Sequence, residues 1–181
     1  MLPMDRIRAL LREHDDPGHL EHPADFDRET SRNCFARLLS ALEERFGPSC
    51  SGGRGQDSSF YGVIEVPAAA TGVDRDMGVA MSNFGNYFVT AFMRVGEGAA
   101  AGEERPSEEF VTWLDGVCTA MGCTFVPTGL LREPYDGPSV LAAAGDLELA
   151  RVLIAAGLAE PEDDDEELGK SDWHERYFDY M

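Results

Sequence analysis

Residues 60–95 constrain the fold of this chain more than any other stretch, because they hold most of its strand-forming residues in one block. The block reads FYGVIEVP, a connection rich in small residues, and then MGVAMSNFGNYFVTAFMRV. Aromatic and β-branched residues favour strands, and residues 82–86 supply the asparagines and glycine that suit a hairpin turn. The sequence therefore predicts three strands, over residues 60–67, 77–81 and 87–95, joined as an antiparallel meander.

The third of these strands is apolar on both faces. Side chains alternate along a strand, so one face carries Tyr87, Val89, Ala91 and Met93, and the other carries Phe88, Thr90, Phe92 and Arg94. A strand with this pattern is covered on both sides. We therefore expect helices to pack against both faces of the sheet.

Amphipathic helices flank the meander. Residues 28–46 place a single apolar stripe at helical spacing, with Asp25 or Asp27 available as the N-cap, and residues 107–121 repeat the pattern behind Ser107. A shorter helix is predicted over residues 4–13. The stripes comprise Phe35, Leu38, Leu39, Leu42 and Phe46 in the first long helix and Phe110, Leu114, Val117 and Met121 in the second.

The remaining segments complete a prediction of one α+β domain over residues 1–181. The sheet is expected to be antiparallel with four to five strands, gaining a short strand at residues 123–127 and an aromatic C-terminal strand at residues 172–180. A short helix that places Trp173 and Tyr177 one turn apart is the alternative for the C-terminal segment. The glycine- and serine-rich residues 49–59 are predicted to form a flexible loop.

Residues 142–157, which read AAAGDLELARVLIAAG, resemble the helix–turn–helix portion of an ankyrin repeat. The resemblance implies that the alanines pack a first helix, that Gly-Asp-Leu-Glu turns the chain, and that the later leucines and valine pack a second helix. Stacked repeats need about three units to bury a core, and the chain has no second copy. We therefore expect a helical hairpin inserted at about residues 138–158, followed by an acidic loop at about residues 159–171.

The net charge of the chain limits the classes of partner that it can bind. The chain carries 34 acidic against 15 basic residues, a formal net charge of −19. Such a field repels nucleic acid and attracts basic proteins, so we expect no direct contact with nucleic acid. A host whose proteins are acidic for solubility would explain the charge equally well.

Composition also suggests where the protein acts. The N-terminus alternates charged and apolar residues unlike a signal peptide, and no apolar run approaches the ~20 residues that span a bilayer. The abundance of arginine, alanine and glycine suggests a bacterial source. We expect a cytoplasmic protein without membrane contact, whose four cysteines stay reduced. Cys34 and Cys118 are expected in the core, and Cys50 at the surface.

One grouping of residues has the composition of a metal site. His14, His19 and His22 lie close together with acidic neighbours, and imidazoles and carboxylates are ligands of zinc and other divalent ions. An exposed polar loop would explain the same residues. No motif for a nucleotide or other cofactor is present, so we expect no cofactor and assign no catalytic residue.

Three functions remain open from the sequence, the last of them a structural role in a homodimer formed through an exposed sheet edge or an aromatic patch. The first is a non-enzymatic, acidic protein-interaction module, for example an inhibitor or immunity protein that binds a basic partner. Its contact residues would be the acidic run Glu162, Asp163, Asp164, Asp165, Glu166 and Glu167. The alternative is a metal-dependent or small-molecule enzyme whose site gathers dispersed residues, among them His14, His19, His22 and His174. The oligomeric state is not determined by the sequence.

Overall fold

A computed structural model describes residues 1–55, 58–71, 75–94, 105–137 and 171–179. Those ranges contain six helices and five strands. The helices are α1 (Met4–Glu13), α2 (Arg28–Phe46), α3 (Ala68–Thr71), α4 (Glu108–Met121), α5 (Thr128–Leu131) and α6 (Trp173–Phe178), and the strands are β1 (Ser51–Arg54), β2 (Phe60–Val66), β3 (Met77–Ser82), β4 (Phe88–Met93) and β5 (Thr124–Phe125). No helix among them has both the length and the hydropathy to cross a membrane.

The five strands form one sheet in the order β1-β2-β3-β4-β5. The first three pairings are antiparallel, which confirms the predicted meander and the α+β class. β5 is the exception, because it pairs with β4 in parallel. The chain leaves β4, passes through α4 and returns in the same direction, which is the kind of crossover a parallel pair needs. The sheet is therefore mixed and only partly antiparallel.

Each face of the sheet is covered by its own hydrophobic core. On one face the stripes of α2 and α4 pack against β2, β3 and the side chains of Val89 and Ala91. On the other face α1, α5 and α6 pack around Phe84 and Phe88. The alternation predicted along β4 is thus confirmed: its odd-numbered apolar residues belong to the first core and Phe88 and Phe92 to the second.

The two long helices begin and end where their sequence signals lie. The Asp27 carboxylate accepts a hydrogen bond from the Thr30 N–H at 2.6 Å, and the Ser107 hydroxyl accepts one from the Phe110 N–H at 3.2 Å. Each bond satisfies an N–H that the helix itself cannot pair. Gly47 then ends α2, and Gly122, in a left-handed conformation, ends α4.

The β3–β4 turn requires three successive residues of positive φ. Gly85, Asn86 and Tyr87 have φ values of 67°, 53° and 60°. A Cβ atom on Gly85 would lie 2.2 Å from the ring of Phe88, which is fully buried. The turn therefore needs glycine at this position for its backbone angle and for its lack of a side chain.

The prediction of a flexible loop at residues 49–59 was wrong for Ser51–Arg54, which forms β1. Its glycines permit close packing instead of flexibility. A Cβ atom on Gly62 of β2 would lie 2.5 Å from the carbonyl oxygen of Gly53, and one on Gly52 would lie 3.0 Å from the Phe35 ring. The missing side chains let the β1–β2 pair lie directly on α2.

The prediction of a C-terminal strand at residues 172–180 was also wrong, and the short helix is the observed alternative. Asp172 caps α6 by accepting a hydrogen bond from the Glu175 N–H at 2.9 Å. The reason lies in which side chains are buried together. A strand would point Arg176 and Tyr177 to opposite faces, whereas a helix gathers Trp173, Arg176 and Tyr177 on one buried face.

Three predictions concern parts of the chain outside the described residues. They are the ankyrin-like residues 142–157, the surrounding hairpin at 138–158 and nearly all of the acidic loop at 159–171, which includes Glu162, Asp163, Asp164, Asp165, Glu166 and Glu167. These stay predictions.

Replacing Gly85 should destabilise the fold, and replacing Gly116 should not. Gly85→Ala combines a positive φ with a collision against Phe88, so we expect a loss of about 2–4 kcal/mol in the free energy of unfolding. Gly116 lies inside α4 with no heavy atom within 4 Å of an added Cβ, so Gly116→Ala should stabilise by about 0.5–1 kcal/mol. Urea unfolding followed by circular dichroism measures both. A Gly85→Ala variant as stable as the parent would contradict the account of the turn.

Candidate functional site

The loop that follows α1 encloses the buried side chain of Arg176. Only 1% of Arg176 is exposed, and its Nε donates to the Asp15 carboxylate at 2.7 Å. Its Nη2 donates to the carbonyl oxygens of Asp16 at 2.8 Å and His19 at 3.3 Å, and Nη1 donates to that of Leu20 at 3.4 Å. The loop therefore presents one carboxylate and three carbonyls to a single guanidinium group.

Aromatic residues complete this arginine site. The guanidinium carbon lies 4.4 Å from the centre of the Phe84 ring. The Tyr135 hydroxyl donates to the second Asp15 oxygen at 2.6 Å, and the Tyr177 hydroxyl donates to the Leu11 carbonyl at 2.6 Å. Burial raises the pKa of both phenols, so both remain neutral hydrogen-bond donors. All these groups satisfy one another, which makes the cluster structural and not a site for a ligand.

The same loop carries the three histidines predicted to bind a metal. His14 meets the edge of Phe88 with ring centres 5.9 Å apart, and His22 stacks on Phe26 at 4.9 Å. His19 Nδ1 lies 2.9 Å from the Asp16 carboxylate, whose pKa this hydrogen bond lowers. Within the described ranges, no group of three or more His, Cys, Asp or Glu side chains is arranged to share a metal ion. Metal binding by these histidines stays a prediction, and it would require their present contacts to be exchanged.

The fourth histidine lies on α6 in a different environment. The His174 ring packs against Phe178, with the ring centres 5.9 Å apart. Burial is the main cause that lowers the pKa of His174, and the nearby charge of Arg132 lowers it further. His174 is thus favoured as a neutral side chain. The structure gives each histidine a different neighbour, and the enzyme hypothesis stays a prediction.

Two cysteines that the sequence separates by 89 positions lie side by side. The sulfur atoms of Cys34, on α2, and Cys123, after α4, are 3.2 Å apart. Both residues are buried, at 7% and 8% exposure. The hydrogen bond with Cys123, and then the charge of Arg37, lower the pKa of the Cys34 thiol, while the same bond and burial raise the pKa of Cys123. Either thiol can donate in this contact, and the pKa shifts favour Cys34 as the more acidic of the two.

A small pocket gives access to this pair. It encloses about 260 Å³ and is lined by Thr30, Asn33, Cys34, Arg37, Asn86, Tyr87, Met121 and Gly122. Sequence reasoning placed Cys34 in the core, which is confirmed, but missed its partner. No sequence pattern indicated the contact between Cys34 and Cys123, because that contact depends on the parallel return of the chain through α4. Cys50, expected at the surface, is buried at 5% exposure.

A larger groove lies between the start of α1, the start of α4 and α5. Its volume is about 850 Å³, and its lining includes Met4, Arg8, Arg105, Glu108 and Glu133. Arg8 pairs with Glu133 at 2.6 Å inside it. Because the lining mixes apolar side chains with charges of both signs, the groove does not favour one class of ligand.

Carboxylates neutralise much of the basic charge on the described surface. Seven exposed or half-buried arginines have a carboxylate oxygen within 4.0 Å, in addition to the buried Arg176: Arg6, Arg8, Arg12, Arg32, Arg45, Arg94 and Arg132. Most of these pairs are exposed, so each adds little stability. Their effect on the surface is larger, because they offset the positive charge and leave a surplus of carboxylates.

Comparison of the chain with protein-family models, curated proteins and solved structures returned no match.

Removing the Asp15 carboxylate should be far more damaging than removing an exposed one. Asp15→Ala leaves Arg176 buried without a counter-charge, and breaking a buried pair in this way costs about 3–5 kcal/mol of unfolding free energy. Asp5→Ala is the matched control, because Asp5 also pairs with an arginine but its side chain is 98% exposed. The urea midpoint of the control should stay nearly unchanged. Equal midpoints for the two variants would refute the structural role of the buried pair.

Proposed function

We propose that this protein is a non-enzymatic interaction module that binds a basic protein partner in the cytoplasm, in the manner of an inhibitor or immunity protein. The observation that carries the proposal is the surplus of acidic charge, on a surface where seven of the described arginines are paired with carboxylates. A net charge of −19 produces a field that attracts basic surfaces over a distance of roughly one Debye length, about 8 Å at physiological salt.

The pairing of the arginines supports this function in a specific way. An arginine held by a carboxylate, as Arg12 is by Asp136 at 2.6 Å, presents little positive charge to an approaching partner. A basic partner would therefore meet little local repulsion. Complementary fields of this kind raise association rates and select partners more than they raise final affinity.

We assign the contact to the acidic run of residues 160–167, in which every residue except Pro161 is acidic. The proposed contact residues are Glu162, Asp163, Asp164, Asp165, Glu166 and Glu167. Carboxylates at this density resemble a phosphate backbone in charge, so the run would suit a partner whose own basic surface binds nucleic acid. A basic nuclease is the partner class that fits this chemistry.

Affinity capture from the native host at two salt concentrations tests the proposal. We expect the full chain to retain a basic protein at 50 mM salt and to release it at 500 mM, with an association rate that falls by about tenfold or more. A captured partner that is acidic, or whose binding is indifferent to salt, would refute the proposed mode of binding.

Two variants of equal charge then test the assigned segment. The first replaces Asp163, Asp164, Asp165 and Glu166 by their amides, and the matched control does the same at the exposed Glu21, Asp25, Glu44 and Glu108. Both variants lose four negative charges. The first should bind the captured partner about tenfold more weakly than the control. Equal weakening would show that the whole field matters and that the acidic run is not the contact.

A further inference from the structure

We propose that Cys34 and Cys123 form a reversible disulfide when the protein meets a hydroperoxide, with Cys34 as the attacking thiol and Cys123 as the resolving thiol. This would be a redox-active site on a chain whose proposed binding function does not use it. The proposal does not rest on the proposed binding function, because Cys34 and Cys123 are not among the contact residues assigned to it.

Proximity is the first observation that supports the disulfide. The two sulfur atoms are 3.2 Å apart, and a disulfide bond is about 2.05 Å long, so the atoms need to approach by only about 1.2 Å. Cys123 follows Gly122, which ends α4, and precedes the two residues of β5. This short connection is where a small backbone shift costs least, because neither long helix needs to move.

Access is the second observation, and it distinguishes the two thiols. Cys34 lines the pocket of about 260 Å³, a volume sufficient for hydrogen peroxide or a small alkyl hydroperoxide. The Arg37 guanidinium and the Asn33 amide line the same pocket, and both can donate hydrogen bonds to a peroxide oxygen. Cys123 is not among the lining residues of this pocket. A peroxide entering through this pocket therefore reaches Cys34 first.

Electrostatics assigns the same roles. The contact with Cys123 and the charge of Arg37 favour the thiolate of Cys34, and the thiolate is the nucleophilic form. The pKa of Cys123 is raised, which favours its protonated form beside Cys34. Burial raises the pKa of Cys118 and of Cys50, which makes both poorer nucleophiles. Of the four thiols, that of Cys34 is therefore best suited to attack the peroxide, and that of Cys123 lies next to it to resolve the sulfenic acid.

The reaction balances in two steps. The Cys34 thiolate attacks one peroxide oxygen, so an S–O bond forms, the O–O bond breaks and hydroxide or alkoxide leaves, which takes up a proton as water or an alcohol. The sulfur of Cys123 then attacks the Cys34 sulfenic acid. The S–S bond forms, the S–O bond breaks, and the departing hydroxide takes the Cys123 proton as water. Two thiols are oxidised by two electrons, and one peroxide is reduced. An external dithiol reverses the change by thiol–disulfide exchange.

Oxidation of the unmodified full chain tests the proposal directly. One equivalent of hydrogen peroxide should reduce the count of reactive thiols, measured under denaturing conditions, from four to two per chain without forming dimers. Peptide mass spectrometry should find the Cys34–Cys123 linkage, and dithiothreitol should restore four thiols. A linkage between any other pair, or four thiols that persist under excess peroxide, would overturn the proposal. This measurement needs no variant and so does not depend on a mutant that folds.

Single serine variants assign the roles. Cys123→Ser should stop at a sulfenic acid on Cys34 that dimedone traps, whereas Cys34→Ser should react at least about tenfold more slowly than the parent. Cys50→Ser and Cys118→Ser are the matched controls, and both should still form the linkage. Dimedone trapped on Cys123 would reverse the assigned roles and overturn the assignment of Cys34 as the attacking thiol. Loss of the Cys34–Cys123 linkage in a folded Cys118→Ser variant would contradict direct resolution by Cys123 and overturn that assignment.

Discussion

The buried ion pair between Arg176 and Asp15 is the interaction on which the second face of the sheet depends. Burying a guanidinium group is costly unless its charge and its N–H groups find partners, and here one carboxylate and three carbonyls supply them. The loop after α1 is shaped by this requirement, because its carbonyls turn inward toward one side chain. The pair therefore fixes α6 against α1, and with them the core that covers Phe84 and Phe88.

The sequence was most informative where periodicity is strong. The stripes of α2 and α4, their caps at Asp27 and Ser107, and the two-faced pattern of β4 could all be read from the spacing of apolar residues. These features are local, so they depend on neighbours that the sequence shows directly. The turn at Gly85 was predictable for the same reason.

The sequence was least informative where the conformation of a residue depends on contacts with residues far away in the chain. Gly52 was predicted to lie in a flexible loop, and instead it allows β1 to lie on Phe35. The aromatic C-terminus has strand propensity, yet Arg176 must share a buried face with Trp173 and Tyr177, which selects a helix. The contact of Cys34 with Cys123 depends on a parallel strand return that no local pattern encodes. In each case tertiary contacts overrode the local conformational preference of the sequence.

The position of Arg176 in the chain has a consequence for the order of folding. Asp15 and Arg176 are separated by 161 residues, and a ribosome adds about 5–20 residues per second. Asp15 is therefore synthesised roughly 8 to 32 seconds before Arg176. The meander, α2 and α4 have all been synthesised by then and can pack on one face of the sheet. Phe84 and Phe88, on the other face, lack their contacts with the Tyr177 ring until α6 arrives. The second core is therefore expected to close last, after α6 has been synthesised.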